Sequence, residues 1–196
     1  MRVIPLAYLL FAACAPEQPL LIDESSRPAT IVGRQPGLAV EMVRAAIRGE
    51  ANRRFAGDCG TVTIPDDAIV PVEVTGGGDP EFAVFFGRAR CDLQGSASWF
   101  SGTGGATIAL WSSSGNVPRL LFEHSMHGFT PTRDGFVSAQ HGAFCPRGAG
   151  PGVCVVSYRW RGSEDGFEVG SRRLYDDRHP GTPPALRYDW NYPLPG

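Results

Sequence analysis

Val153-Cys154-Val155-Val156-Ser157-Tyr158-Arg159-Trp160 is the stretch that decides the fold. It is β-branched and aromatic, and it alternates. Cys154, Val156, Tyr158 and Trp160 fall on one face, and Val155, Ser157 and Arg159 on the other. That pattern predicts a strand. The Asp165-Gly166 turn signal follows, and Phe167 to Val169 is expected to return as the second arm of a hairpin.

Working outward, the same signals recur. Short runs predict strands at Thr61 to Ile64, Ile69 to Val74, Glu81 to Phe86, Thr107 to Trp111, Pro118 to Glu123 and Phe136 to His141. Between them stand Gly76-Gly77-Gly78-Asp79-Pro80, Gly102 to Gly105, Ser112 to Asn116 and Asp134-Gly135, all turn-forming. One helix is expected, from Leu38 to Arg48, with Leu38, Met42, Ala45 and Ala46 as its apolar face and Gly49 near its end. The reading is mainly β: an antiparallel sheet or small β-sandwich with one N-terminal α-helix, stapled by disulfides. With 25 Gly and 17 Pro, the composition favours many turns over long helices.

The organisation read from composition is a signal peptide at 1–13, a Pro- and Ser-rich tether at 14–36, a β-rich domain at 37–173 and a Pro- and Tyr-rich tail at 174–196. Tyr188, Trp190 and Tyr192 are the residues expected to dock that tail on the body. The domain is long enough for one real core.

Arg2, the apolar run Val3 to Ala13, and Cys14 have the three parts of an export signal. The run is too short to cross a bilayer as a helix. Phe11-Ala12-Ala13-Cys14 resembles a lipobox, the site at which bacterial lipoproteins are cut and acylated. That resemblance implies acylation of Cys14, a lipid anchor on the periplasmic side of a membrane, and, with Ala15 and Pro16 following, the outer membrane over the inner one. A plain secreted form is the other reading of the same segment.

Export also frames the sulfur chemistry. Beyond Cys14 the chain has Cys59, Cys91, Cys145 and Cys154, and an even count in an oxidising compartment reads as two disulfides. Three pairings are possible. Cys145–Cys154 is favoured by the Pro- and Gly-rich loop between them, which leaves Cys59–Cys91. The chain-entropy account gives these about 2.7 and about 3.7 kcal/mol.

Charge excludes some function classes. The formal net charge is −2 and the 18 basic residues are all Arg, so there is no broad basic face for nucleic acid and no lysine for Schiff-base or P-loop chemistry. No cofactor is expected. Glu73 to Val84 resembles the calcium loop of FG-GAP-like exported β-repeat proteins, which implies Glu73, Thr75 and Glu81 as oxygen ligands. Gly77 replaces an acid of that pattern, and a glycine turn is the competing reading. His141-Gly142-Ala143-Phe144-Cys145, then Cys154, then Tyr158-Arg159-Trp160, resembles uncharacterised exported proteins of Proteobacteria, a likeness that implies compartment and not activity.

Three functions are set against one another. The first is a cell-envelope lipoprotein with a non-catalytic binding or structural role, whose candidate contacts are Trp99, Phe100 and Phe129; the competing and favoured reading of these rings is that they cap the end of the β core. The second is an inhibitor of an envelope-directed lysozyme or protease, acting through the Cys145–Cys154 loop on a protein partner. The third is a hydrolase using His124, His127 or His141, which requires those rings to meet an acid in one pocket. No Gly-x-Ser-x-Gly elbow supports it.

Overall fold

The computed structural model describes residues 38–78, 80–93, 100–113, 118–146 and 152–189. The segments read as signal and tether, Cys14, Trp99, Trp190 and Tyr192 lie outside the described residues. The chain opens with helix α1 (Leu38–Cys59). The strands follow as β1 (Val62–Thr63), β2 (Ile69–Val72), β3 (Glu81–Phe85), β4 (Arg90–Cys91), β5 (Ser101–Gly102), β6 (Gly105–Ser112), β7 (Arg119–Met126), β8 (Gly128–Thr132), β9 (Gly135–His141), β10 (Val153–Trp160), β11 (Phe167–Tyr175) and β12 (Tyr188–Asp189). The fold is mainly β, antiparallel, with one N-terminal helix and two disulfides, as the alternation predicts.

The strands form two five-stranded sheets and a small β1–β4 ribbon. In the first sheet β2, β3 and β6 run in order, β7 pairs the far edge of β6, and β5 caps the start of β6. The second sheet has the order β11-β10-β9-β8-β12. The chain passes from one sheet to the other at the Met126-His127-Gly128 corner, where His127 N–H donates to the Ala139 carbonyl at 2.7 Å. β3 is buried along its whole length, as a strand is when both its faces are covered. One core cluster runs from Val43, Ile47 and Ala51 of α1 through Phe82 and Ile108 to Phe129 and Phe136 of the second sheet.

The helix differs from its sequence reading in two ways. It continues past Gly49 and Gly57 to Cys59. Glycine costs a helix about 1 kcal/mol, but burial of Ile47 and Ala51, and of Phe55 against Phe86 and Phe100, carries it on. Its buried face is Val43, Ile47, Ala51 and Cys59, not Met42, Ala45 and Ala46; Met42 is 65% exposed. The helix stops at Gly60, whose φ of 71° suits a residue without Cβ and whose N–H closes on the Ala56 carbonyl at 3.1 Å. Arg54 then ties α1 to β7 through a two-pronged contact with Glu123, at 2.5 and 3.0 Å.

The strand β8 and the terminal pairing were not read from sequence. Pro131 argues against a central strand, yet β12 pairs β8 only at Gly128 and Phe129, so Pro131 lies where β8 has no second neighbour. β11 crosses the expected tail boundary and reaches Tyr175. Tyr188 docks as expected, buried between Phe85 and Phe129.

Candidate functional site

The two bridges are those favoured from the loop composition. Cys59–Cys91 and Cys145–Cys154 have Cα separations of 4.8 and 5.5 Å, within the usual range. The first pins the end of α1 to the β1–β4 ribbon. The second closes the loop that joins β9 to β10.

Glu73, Thr75 and Glu81 do come together, but their oxygens face the loop's own donors. The Glu81 carboxylate, 2% exposed, accepts from Val74 N–H at 2.9 Å and from the Thr75 hydroxyl at 2.7 Å. Glu73 accepts from Gly76 N–H at 2.8 Å. The carboxylate of Glu81 thus shapes the turn from within. Among the described residues no three His, Cys, Asp or Glu side chains gather as a metal site.

Phe100 and Phe129 are 5% and 1% exposed, which corrects their reading as surface contacts. Phe100 packs on Phe55 and Phe86 beneath the helix, and Phe129 on Phe85, Phe136 and Tyr188 between the sheets. An apolar ring beside a turn signal is ambiguous in sequence; burial between layers settles both as core.

The histidines take local partners. His124 Nδ1 donates to the Ser125 carbonyl at 2.9 Å. His141 Nδ1 accepts from Ala143 N–H at 3.3 Å and caps the short 3-10 turn Gly142–Phe144. His127 occupies the corner between the sheets. The imidazole that meets a carboxylate is one the sequence reading did not single out: His179, 2.9 Å from Asp176.

What the strands do assemble is a run of half-exposed rings along the margin where β7 faces the second sheet. Phe144 stands edge-on to His124 with centroids 4.6 Å apart, and His124 stacks on Phe122 at 6.2 Å. Phe122 meets Tyr158 at 4.8 Å and Phe167 at 5.9 Å, and Phe167 meets Trp160 at 4.9 Å. All six side chains keep some solvent contact; Phe144 is 42% exposed. Beneath them lies a polar floor. Gln140, 1% exposed, donates to the Ser138 hydroxyl at 2.9 Å and to the Tyr158 hydroxyl at 2.8 Å. This fixes the Tyr158 ring. Such a surface can bind: rigid aromatics bury much area at low entropic cost. Of the six, the sequence placed only Tyr158 and Trp160 on a common face. The others come from β7, β11 and the turn before Cys145, and their convergence needs the register Tyr158↔Phe136 and Trp160↔Phe167.

No protein-family model matches the chain, and no curated protein or solved structure does so either. Among the described residues no helix is long and apolar enough to cross a membrane.

The buried carboxylate gives a test. Burial pushes Glu81 above its ordinary value of 4.5, against the donors from Val74 and Thr75, which pull it down. A carboxyl raised in the folded state carries no penalty below its unfolded value, and folding loses stability as pH rises through the folded value. Glu81→Gln keeps an acceptor for Val74 N–H. Urea midpoints should therefore favour the Gln variant increasingly from pH 4 to pH 7. A gap that does not change with pH contradicts this.

Proposed function

We propose that the chain is exported, acylated at Cys14 and held to the periplasmic side of a membrane, the outer one being favoured, where it acts as a non-catalytic binding module. The observation that carries this reading is the pair of formed disulfides in a chain that begins with an export-like segment. Both bridges suit an oxidising compartment. The half-exposed ring margin supplies the binding surface, and a partner in the envelope is the reading's natural counterpart. The test is intact-mass analysis of the protein made in its own host. The expected product lacks residues 1–13, carries added acyl mass at Cys14, and holds four cysteines that react with an alkylating agent only after reduction. A full-length mass with five free thiols contradicts the reading.

A second reading has its own support. Phe144 is exposed at the end of the 3-10 turn Gly142–Phe144, one residue before the bridged Cys145; residues 147–151 of the bridged loop itself lie outside the described residues. An exposed ring beside a fixed bridge suits insertion into another protein's cleft, which favours an inhibitor of an envelope-directed lysozyme or protease. Immobilised protein should then retain one such enzyme. Phe144→Ala should weaken retention roughly tenfold or more, as loss of a central aromatic anchor does. Equal retention by wild type and variant rejects a role for this ring.

A further inference from the structure

The connection from β11 to β12 must cross a sheet. These strands lie at opposite edges of the order β11-β10-β9-β8-β12, so residues 176 to 187 pass over the face of the second sheet that points away from the core. Four strand spacings amount to roughly 19 Å, and twelve residues can reach roughly 40 Å. The strap therefore has slack. It explains why Val155, on the face opposite Cys154 and Val156, is only 4% exposed.

The strap is hydrogen-bonded at its ends and packs without hydrogen bonds to the sheet in its middle. At the β11 end, Asp176 accepts from Arg178 N–H at 2.9 Å, from His179 N–H at 2.8 Å and from His179 Nδ1 at 2.9 Å, with Arg178 Nη2 at 3.3 Å. Partial burial pushes this carboxyl upward, but the His179 and Arg178 donors prevail and hold it down to about 2. The tie is thus intact at neutral pH. At the other end Arg187 N–H donates to the Thr130 hydroxyl at 2.9 Å, and Tyr188 is buried. Between these points, residues 180–186 make no hydrogen bond to the sheet among the described residues. Pro180, Pro183 and Pro184 have no N–H to offer.

Beneath the middle of the strap is a cleft of about 180 Å³. Val137, Val155, Ser157 and Ser171 form its floor, and Tyr175, Thr182 and Pro184 its walls. Its lining is mostly apolar and holds no charged side chain; the nearby Arg173 guanidinium lies over the Tyr175 ring instead, 5.0 Å from its centroid. The Ser157 and Ser171 hydroxyls bond each other at 2.8 Å. One proton serves that bond, so the second hydroxyl still has a proton to donate. Gly170 keeps the pair accessible: a Cβ there would stand 2.9 Å from Ser157 Oγ.

We propose that this cleft is a binding site for a small uncharged ring bearing one hydroxyl group, admitted when the middle of the strap lifts. The size follows from volume, since an apolar cavity of roughly 150 Å³ accepts benzene. The neutrality follows from the lining, because an unpaired charge beneath the strap would lose its water without compensation. The hydroxyl answers the serine pair.

Phenol is the probe, followed by amide NMR shifts across β9, β10 and β11. Saturable shifts confined to residues around Val137, Ser157, Ser171 and Thr182 are expected. Ser157→Ala with Ser171→Ala should weaken phenol about fivefold, the worth of one net hydrogen bond, while leaving toluene unchanged. Val137→Phe should fill the cleft and abolish both. The proposal is overturned if phenol shifts do not saturate, if they survive Val137→Phe in a folded variant, if the double Ala variant binds phenol as well as wild type does, or if benzoate binds more tightly than phenol.

Discussion

The contact between the two sheets is the constraint on which the rest of the structure depends. Phe85 of β3 stacks on Phe129 of β8 with centroids 6.1 Å apart, and Tyr188 of β12 closes the group, 5.1 Å from Phe129. A second set joins β7 to the other sheet, where Phe122 meets Phe136 at 5.0 Å and Tyr158 at 4.8 Å. Neither sheet has a partner of its own to bury these rings. The first sheet already carries α1 on one face, and it must place Phe85 and Phe122 against something on the other. Packing on the second sheet removes that surface from water and sets the angle of the Met126-His127-Gly128 corner. β12, and with it the end of the strap, is then held by the same rings.

Most polar side chains inside this arrangement are satisfied locally, although the Trp111 indole N–H and the Arg44 Nε are buried without a partner among the described residues. Among the described residues, Glu81, Ser138 and Gln140 are buried polar residues whose side chains each make a bond within their own turn or sheet. A buried group without a partner would cost stability, so these residues specify register and loop shape. At the surface, half-exposed rings gather around Phe122 and a mostly apolar cleft lies under the strap. The disulfides lie close to both ends of the design. Cys59–Cys91 holds the helix terminus, and Cys145–Cys154 stiffens the turn that presents Phe144.

Much of the fold is legible in the sequence where β-branched and aromatic runs stand between turn signals. Val153 to Trp160 alternates cleanly and is observed with the expected bounds. Legibility fails where pairing is short or where a residue within the strand argues against one. β8 contains Pro131 and reads as a loop, because the sequence does not reveal that β12 leaves that position unpaired. The helix face was misplaced because Met42, Ala45 and Ala46 have helical spacing as good as that of Val43, Ile47 and Ala51; only the position of the first sheet selects between them. The oxygen side chains of the Glu73 to Glu81 loop were visible, but not that they face one another's N–H and hydroxyl groups. The ring margin was legible only in part, since its members lie far apart in the chain.

The claim that one shared core holds both sheets is tested most directly by calorimetry of the oxidised protein beside Phe129→Ala. The account predicts a single transition whose calorimetric and van't Hoff enthalpies agree. It also predicts that the substitution lowers the whole of that transition, by about 3–5 kcal/mol for loss of a buried phenylalanine. Two transitions, one of them unmoved by Phe129→Ala, would show that the sheets fold as separate units and would contradict it.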